Sequence, residues 1–569
     1  MTQTGAMTRT KKDDFMMQGG ILALAAILSR VIGAIYRIPL IRILGDEGMG
    51  IYGVAFEIYA MALILSSLSL PIAVSKLVSA RQSVGQYRNA YRVYRCSLYF
   101  AVIVGAIFSL VLFIGANWFS ENMMNHSIGV YSLRVIAPAV FIVAVLGVLR
   151  GYFQGLGTMI PTAVSQVLEQ IFNGIVSVFG AFVLLNIGSR VARERVDGLM
   201  ADAEEYAIVL LGAAYGAAGG MLGTVAGALV ALLFLIWVFQ KYKRVIQRQL
   251  QREQSYQSSK RESYGHILPI LIMTIIPVVL STTMYNINQI IGHVMFANIM
   301  AAQGVPEVEF LELQGIFAGS YNVLINIPLA MASGFAASII PSLTAAIVTK
   351  KRKQINRKIN QITRFIVLVS APCFIGFIVL ASPIMYLLFA NPDRLPATML
   401  MMGSITVVLY SWATVSNSVL QGLDKMREPV KNAIIALIAY VISLWLMLVV
   451  FQIHVYALVL SNVVSAICMC YFNMRSIQKA SQYRQEWRQS VVKPLVAAVL
   501  MGLIAFLVQI IFQLFMSSRV ATVIAIFVAM VVYAVGVLQL GALSAGDIKA
   551  FPHGKKILQV LRKMRLMPN

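Results

Sequence analysis

Long apolar stretches, separated by shorter polar segments, follow one another along almost the whole chain. Stretches such as ALVALLFLIWVF (228–239) and ATVIAIFVAMVVYAVGVLQL (521–540) contain no charged residue. About 20 consecutive apolar residues are enough for one helix to cross the hydrocarbon core of a bilayer. The pattern therefore predicts an all-α integral membrane protein whose helices cross the membrane many times.

The number of apolar stretches predicts about fourteen transmembrane helices. We expect them at 16–42, 49–79, 92–115, 127–150, 158–187, 206–240, 264–295, 312–347, 361–390, 396–421, 429–452, 454–474, 490–514 and 517–540.

The charged residues between these stretches indicate the topology. Basic loops such as 79–95 and 350–358 alternate along the chain with loops that are poor in lysine and arginine, such as the one containing Asp46. Only the loop at 190–205, with three arginines and five acids, is ambiguous. Because basic loops face the cytoplasm, we expect a multi-pass membrane protein with both termini in the cytoplasm.

An internal repeat predicts the architecture. GIYGVAFEIY (50–59) aligns with GIFAGSYNVL (315–324), and FQGLGTMIP (153–161) aligns with LQGLDKMREP (420–429). Six predicted helices separate the copies, so both copies have the same orientation, as in transporters whose halves are related by an axis along the membrane normal. We therefore expect two pseudo-symmetric six-helix lobes and two additional C-terminal helices.

The predicted domain organisation follows from the repeat and the loops. It consists of a cytoplasmic N-terminus at 1–15, an N-lobe at 16–240, a basic cytoplasmic linker at 241–263, a C-lobe at 264–474, two appended helices at 475–540 and a basic cytoplasmic tail at 541–569. Within the N-lobe, the stretch GAAYGAAGGMLGTVAG (212–227) repeats glycine at four-residue spacing, which predicts close packing of two helices.

Composition and charge agree with a membrane protein. The chain is 59% hydrophobic and 12% charged, whereas about 25% of the residues of soluble domains are charged. Its formal net charge is +24. Because the basic residues cluster between apolar segments, we expect anionic membrane lipids, and not nucleic acid, as the partners of this charge.

The sequence contains no pattern that is typical of an enzyme. It has no phosphate-binding loop, no nucleotide fingerprint and no nucleophile elbow. The four cysteines and five histidines show no metal-ligand spacing. We therefore predict a transporter without catalytic residues, metal or cofactor, and leave open whether it is coupled to the membrane potential or to a monovalent cation.

Three arginines interrupt the first apolar stretch, SRVIGAIYRIPLIRILG (29–45). A charge near the bilayer centre costs about 2.5–3.5 kcal/mol, so such a residue usually faces a cavity or a partner. Arg30 and Arg37 are two helical turns apart on one face. Since arginine binds phosphate oxygens through paired hydrogen bonds, both are predicted to bind an anionic substrate. Alternatively, Arg37 pairs with Glu57, which is expected at a similar depth.

Other polar residues within predicted helices are further candidates. Asn286, Gln289 and His293 share one face of the seventh helix, where they are predicted to bind the substrate or a coupling cation; hydrogen bonding between helices is an equal alternative. Lys76 and Glu169 are candidates for gating or ion pairing, and the partner of Glu169 is expected to be Arg134 or Arg150. Glu57 belongs to the same group as the candidate partner of Arg37.

Several of these segments resemble a known family. Twelve helices in two lobes plus two more resemble the multidrug/oligosaccharidyl-lipid/polysaccharide exporter superfamily. SRVIGAIYRIPLIRILG is similar to the first-helix signature of lipid II flippases, and LRVIAPAVFIVAVLGVLRGYFQGLGTMIPTAVSQVLEQI (133–171) resembles the polysaccharide biosynthesis branch that contains stage V sporulation protein B. The resemblance covers residues 15 to about 540. It implies a V-shaped molecule with a central cavity, located in the bacterial plasma membrane.

The resemblance also implies a function and marks one departure. It implies a flippase that moves an undecaprenyl-pyrophosphate-linked peptidoglycan precursor, lipid II, to the outer leaflet by alternating access, with the cell-wall synthesis machinery as a further partner. The family carries arginines along the second helix, whereas FEIYAMALILSSLSLPIAVSK (56–76) contains only Lys76 as a base. Arg30 matches the family best, and Arg37 is displaced by one position.

Alternative functions remain open from the sequence alone. Within transporters, these are a flippase for teichoic-acid or capsule precursors and a cation-coupled multidrug exporter. From other classes, they are an integral-membrane glycosyltransferase and a non-transporting scaffold of the division machinery.

Overall fold

The chain is described here from a computed structural model. It describes residues 3–543 except 68, 126–127, 197–200, 257–260, 330, 333–351, 424, 426 and 484. Every regular element within these residues is helical, and they contain no strand. The prediction of an all-α protein is confirmed. The predicted basic tail at 541–569 lies almost entirely outside the described residues.

Contacts divide the chain into two compact units, Met1–Gly319 and Ser320–Asn569. The main helices of the first unit are α1 (Gln3–Ser66), α2 (Leu70–Ser83), α3 (Tyr87–Ile114), α4 (Val130–Gly155), α5 (Ile160–Val196), α6 (Ala201–Tyr256), α7 (Tyr264–Ala302) and α8 (Glu307–Ile316). Those of the second unit are α9 (Arg352–Val379), α10 (Ala381–Phe389), α11 (Arg394–Gly403), α12 (Ile405–Gly422), α13 (Arg427–Trp445), α14 (Tyr456–Ser481), α15 (Lys493–Gln513) and α16 (Ser518–Gln539).

The described residues contain ten helical segments that are long and apolar enough to cross a membrane, or eleven if one bent pair counts as a single span. The chain is therefore a multi-pass membrane protein. One of the ten, Leu24–Ser83, covers two predicted spans, 16–42 and 49–79. Residues 330 and 333–347 of the predicted span at 312–347 lie outside the described residues. The predicted total of spans thus stays a prediction.

Two breaks divide the N-terminal helices. Gly45 has φ 68°, in the left-handed region that glycine adopts without steric cost, and it separates the two predicted spans. The second break corrects the prediction of one continuous helix at 49–79: α1 ends at Ser66 and α2 begins at Leu70. Pro71 lies in the first turn of α2, where its missing N–H is tolerated, whereas inside a helix it would remove a hydrogen bond.

The glycine-rich stretch of α6 packs against α5 as predicted. A Cβ atom at Gly219 would overlap the carbonyl group of Gly180, and one at Gly227 would overlap the carbonyl oxygen of Glu169. The two backbones therefore touch directly over several turns, which only small residues permit. Beyond this contact α6 continues to Tyr256, so the predicted linker at 241–263 begins as a helix.

The first unit includes α7 as well as the helices before it. α7 packs against α1, α2 and α3, and α8 packs against α1. In the second unit, α13 packs against α14, and α15 packs against α9 and α16. The predicted lobe boundaries at 240 and 264 stay a prediction, because contact between helices does not report the repeat from which these boundaries were derived.

Candidate substrate site

The guanidinium group of Arg37 is held by an aromatic ring. Its central carbon lies 5.5 Å from the centroid of the Phe56 ring. Phe56 in turn stacks on Tyr52, with ring centroids 6.1 Å apart. A cation above an aromatic face is attracted by the ring quadrupole. The ring therefore restrains Arg37, whose side chain also interacts with Tyr36 and is close enough to Tyr52 to act on it electrostatically.

Glu57, the neighbour of Phe56, is bound by Gln289 of α7. With its amide nitrogen turned towards Glu57, Gln289 donates hydrogen bonds of 2.8 and 3.3 Å to the two carboxylate oxygens. Arg37 is close enough to act on Glu57 electrostatically, but this pair is not among the direct ion pairs of the described residues. The contact with Gln289 joins a predicted gating residue to a predicted substrate-binding residue.

Arg30 lies two turns before Arg37 in α1, and its side chain is exposed. The helix is in close contact with α5 between the two arginines. A Cβ atom at Gly33 would come within 3.4 Å of Gln170, and one at Gly174 would come within 3.0 Å of Tyr36. The two arginines predicted to share a face thus have different surroundings: Arg37 is packed on a ring, and Arg30 is exposed.

A second polar contact joins α4 to α5. Nη2 of Arg150 lies 2.7 Å from Oε2 of Glu169, and Nε of Arg150 donates a hydrogen bond of 3.0 Å to Ser165. The side chains of Arg150 and Glu169 are only 13% and 22% exposed. Of the two partners predicted for Glu169, the structure therefore has Arg150. The other, Arg134, is exposed and donates to Asn117 at 3.4 Å.

The three predicted residues of α7 do not lie on one accessible surface. Asn286 and Gln289 are exposed, whereas His293 is 2% exposed. The His293 ring meets the ring of Phe317 edge-on at 5.6 Å, and its backbone carbonyl accepts a hydrogen bond of 3.1 Å from the side chain of Gln314. In this conformation His293 does not reach the surface that carries the other two residues.

Lys76 lies on the exposed side of α2. The same side carries Ile72, which is 58% exposed, whereas Leu77 and Val78 are buried. Lys76 is not a member of the ion pairs found among the described residues. Its position is compatible with an amine that extends along an apolar surface towards water.

Sequence reasoning missed an anchor between the end of the linker and the neighbouring helices α2 and α3. Nε of Arg81 donates to both carboxylate oxygens of Glu262 at 3.0 Å, and the backbone N–H of Glu262 donates to Asn89 at 3.1 Å. Nearby, the guanidinium of Arg92 lies 4.6 Å from the centroid of the Tyr264 ring. Glu262 is an acid within a basic segment, and this exception was the available signal.

The described residues contain no group of three or more His, Cys, Asp or Glu side chains that could hold a metal ion. The polar groups near Arg37 are the carboxylate of Glu57, the amide of Gln289 on that carboxylate, and the hydroxyl groups of Tyr36 and Tyr52. Arginine forms strong, charge-assisted hydrogen bonds with anionic groups.

Comparison with other proteins places the sequence in a family. The pattern of the polysaccharide biosynthesis protein family matches residues 16–347. The chain is 26% identical over 424 residues to stage V sporulation protein B of Bacillus subtilis (strain 168), covering 74% of this chain and 76% of the relative. It is 25% identical over 434 residues to the lipid II flippase MurJ of the same organism, covering 74% of each chain.

Solved structures share the fold. The lipid II flippase MurJ in an inward closed conformation has a TM-score of 0.57 at 12% identity, covering 90% of this chain and 97% of that chain. An inward-facing multidrug resistance transporter of the MATE family, from the MOP superfamily, has a TM-score of 0.56 at 17% identity, covering 81% of this chain and 95% of that chain. At these identities the likeness concerns the fold.

The family match spans more than half of the chain, and the fold is that of membrane transporters. The predicted superfamily is confirmed, as is the prediction of a transporter and not an enzyme. The chain belongs to the polysaccharide biosynthesis protein family.

Proposed function

We propose that this protein is a flippase that moves lipid II, the undecaprenyl-pyrophosphate-linked precursor of peptidoglycan, from the inner to the outer leaflet. The observation that carries the proposal is the polar strip of α1, where Arg37 is held on Phe56 beside Glu57 and Arg30 is exposed two turns away. A pyrophosphate carries at least two negative charges, and arginine binds such a group with paired, charge-assisted hydrogen bonds.

The proposed mechanism is alternating access, during which the substrate pyrophosphate competes with Glu57 for Arg37. Arg30 meets the pyrophosphate first because its side chain is exposed. Arg37 then joins the site, and its attraction to Glu57 is replaced by attraction to the substrate. Gln289 holds Glu57 in place during this exchange. The undecaprenyl chain remains in the bilayer while the headgroup crosses, and both termini lie in the cytoplasm.

The substrate is tested by depleting the protein in the cell that makes it. Lipid-linked precursors of the inner leaflet are then extracted and measured by mass spectrometry. We expect lipid II to accumulate, because its synthesis continues while its exit stops. An unchanged lipid II level together with accumulation of a teichoic-acid or capsule precursor would reject lipid II as the cargo and would keep a flippase function.

The role of Arg30 is tested with two variants and a matched control. Arg30→Ala and Arg30→Lys should abolish transport of lipid II in proteoliposomes, since lysine lacks the planar fork of arginine. Arg42→Ala is the control, because Arg42 is an exposed arginine of the same helix about 140° around from Arg37. We expect near-normal transport from this control. Normal transport by Arg30→Ala would remove Arg30 from the site.

A second candidate is a flippase for another lipid-linked polysaccharide, which the description of the family favours. Teichoic-acid and capsule precursors share the lipid-linked phosphate chemistry of lipid II, so the arginines of α1 suit them equally. A cation-coupled multidrug exporter is favoured only by the shared fold. A cationic drug would be repelled by Arg30 and Arg37. Arg30→Glu removes part of this repulsion, and transport of a cationic drug that persists in this variant would support the exporter.

A further inference from the structure

A basic cavity lies between α13 and α14 in the second unit. Its volume is about 650 Å³. Four cationic side chains line it, and one carboxylate opposes them; these residues are Lys425, Lys431, Arg475, Lys479 and Glu428. None of the four cations belongs to the direct ion pairs found in the described part of the chain. The lining therefore carries an excess of three positive charges.

A buried hydrogen-bond network forms the floor of this cavity. Nδ2 of Asn432 donates to Asn473 at 2.9 Å and to Ser476 at 3.3 Å, and Ser476 donates to Glu428 at 3.0 Å. Asn432 and Asn473 are 3% and 0% exposed. Because Asn432 donates to Ser476 and Ser476 donates to Glu428, the network restrains the carboxylate of Glu428 at one side of the cavity. The cations remain exposed around it.

Apolar rows lead away from the cavity along both helices. On α13, Ile434, Ile438 and Ile442 recur every four residues and are 41%, 54% and 55% exposed. On α14, Ile467 and Tyr471 precede Arg475 at the same spacing, and Arg475 donates to the Tyr471 hydroxyl at 3.5 Å. Residues four apart lie on one face of a helix. The basic cavity thus continues into exposed apolar surface in the direction of the bilayer.

We propose that this cavity binds the phosphate headgroup of an anionic glycerophospholipid, whose acyl chains lie along the apolar rows. The excess positive charge of the lining attracts the negatively charged phosphate, and basic pockets between transmembrane helices suit such headgroups. Free phosphate would bind the same cations, but it has no acyl chains that could contact the apolar rows. This site is separate from the proposed substrate site and does not depend on the proposed function.

The test measures lipid binding to the purified protein in neutral detergent. Native mass spectrometry counts bound phosphatidylglycerol, with phosphatidylcholine as the zwitterionic comparison. The variant Lys431→Gln/Arg475→Gln should bind phosphatidylglycerol about 30-fold more weakly, from the typical contribution of a basic residue near anionic lipid. The control Arg357→Gln/Arg488→Gln removes the same charge from exposed positions of the same unit outside the cavity. We expect its binding to stay within about twofold of the original.

Three outcomes would overturn the proposal. Equal losses in both double variants would mean that net charge, and not the cavity, attracts the lipid. Equal binding of phosphatidylglycerol and phosphatidylcholine would exclude recognition of the headgroup charge. Competition by inorganic phosphate or glycerol phosphate at the affinity of the lipid would show that the apolar rows contribute nothing.

A second variant keeps the test valid if the double variant fails to fold. Ile438→Gln changes one exposed residue of the apolar row and no charge, and its folding is checked by size-exclusion chromatography. It should weaken phosphatidylglycerol binding and leave the binding of inorganic phosphate unchanged. Unchanged lipid binding by this variant would contradict the placement of the acyl chains.

Discussion

The pair of Arg150 and Glu169 is a charged contact between α4 and α5. Because both side chains are largely buried, removing one charge leaves the other without its partner. We expect Glu169→Gln to lower the free energy of unfolding by about 2 kcal/mol, between the values typical of exposed and of fully buried pairs. Thermal unfolding in detergent measures this loss.

The control for this pair removes both charges at once. Arg150→Met/Glu169→Leu leaves no unpaired charge, so it should be more stable than Glu169→Gln alone. Unchanged stability in the single variant would show that water already screens Glu169. It would contradict a stabilising role of the ion pair.

The contact between Glu57 and Gln289 permits a swap. Gln289→Glu places two carboxylates against each other, and it should destabilise the protein by about 1 kcal/mol through repulsion and the lost hydrogen bonds. The exchanged variant Glu57→Gln/Gln289→Glu restores one amide and one carboxylate, and should recover most of the loss. Melting temperatures of the three proteins provide the measurement. A swap that is less stable than the single variant would contradict the contact.

Residue positions on a helix are predictable from spacing, but their surroundings are not. Glu169 was expected to pair with Arg134 or Arg150, and only the packing of α4 on α5 selects Arg150. His293 was expected on the face of Asn286 and Gln289, since seven residues make two turns. His293 is nevertheless buried because Gln314 and Phe317 cover that end of α7. Spacing along one helix contains no information about such neighbours.

At the scale of helices, the contact of α5 with α6 depends on the absence of side chains. Gly219→Val should lower stability by about 1–3 kcal/mol, because its side chain would overlap the backbone of Gly180. Gly376→Ala is the matched control, since no atom lies within 4 Å of the added methyl group; it should be neutral or slightly stabilising. Unfolding curves of both variants in detergent measure the two effects. Equal losses of stability would contradict the close approach of α5 and α6 at Gly219.

Helices were predictable from the sequence where apolar stretches are long, and less so where local chemistry interrupts them. The break between Ser66 and Leu70 was missed because SSLSL remains weakly apolar and the effect of Pro71 depends on its place in the turn. After residue 240 the helix does not end where the apolar stretch ends. There α6 continues into KYKRVIQRQLQREQSY because lysine, arginine, glutamine and leucine are good helix formers even without a membrane.

At the scale of the molecule, the proposed topology is testable at the C-terminal ends of α2 and α7. In a protein whose four cysteines are replaced, Ser83→Cys should react with a membrane-impermeant thiol reagent only after the cells are opened. Gln303→Cys should react in intact cells. Both residues are exposed and lie close to a helix end. The expectation follows from the basic residues near Ser83 and the acidic residues after Gln303. Reversed labelling would invert the topology.

The internal repeat and the compact units describe different properties of the chain. The repeat relates positions about 265 residues apart, such as GIYGVAFEIY (50–59) and GIFAGSYNVL (315–324), and so predicts which helices are equivalent. The compact units report packing, and α7 belongs to the first unit because it touches α1, α2 and α3. A sequence repeat predicts which helices are equivalent, but which helices touch also depends on the conformation of a transporter that moves.

The charge of the cargo decides how the membrane potential acts on transport. Moving one charge through 100 mV changes the free energy by about 2.3 kcal/mol. A pyrophosphate-linked headgroup moving outward across a membrane that is negative inside is therefore driven forward, whereas an uncoupled cation moving outward is held back.

In proteoliposomes with a potassium diffusion potential, negative on the cytoplasmic face of the protein, outward movement of lipid II should become faster and should slow when the potential is reversed. Transport that ignores the potential would require the arginines or a counter-ion to travel with the headgroup and cancel its charge. Transport that slows under the inside-negative potential would indicate a net positive moving species and would favour the exporter of cationic drugs.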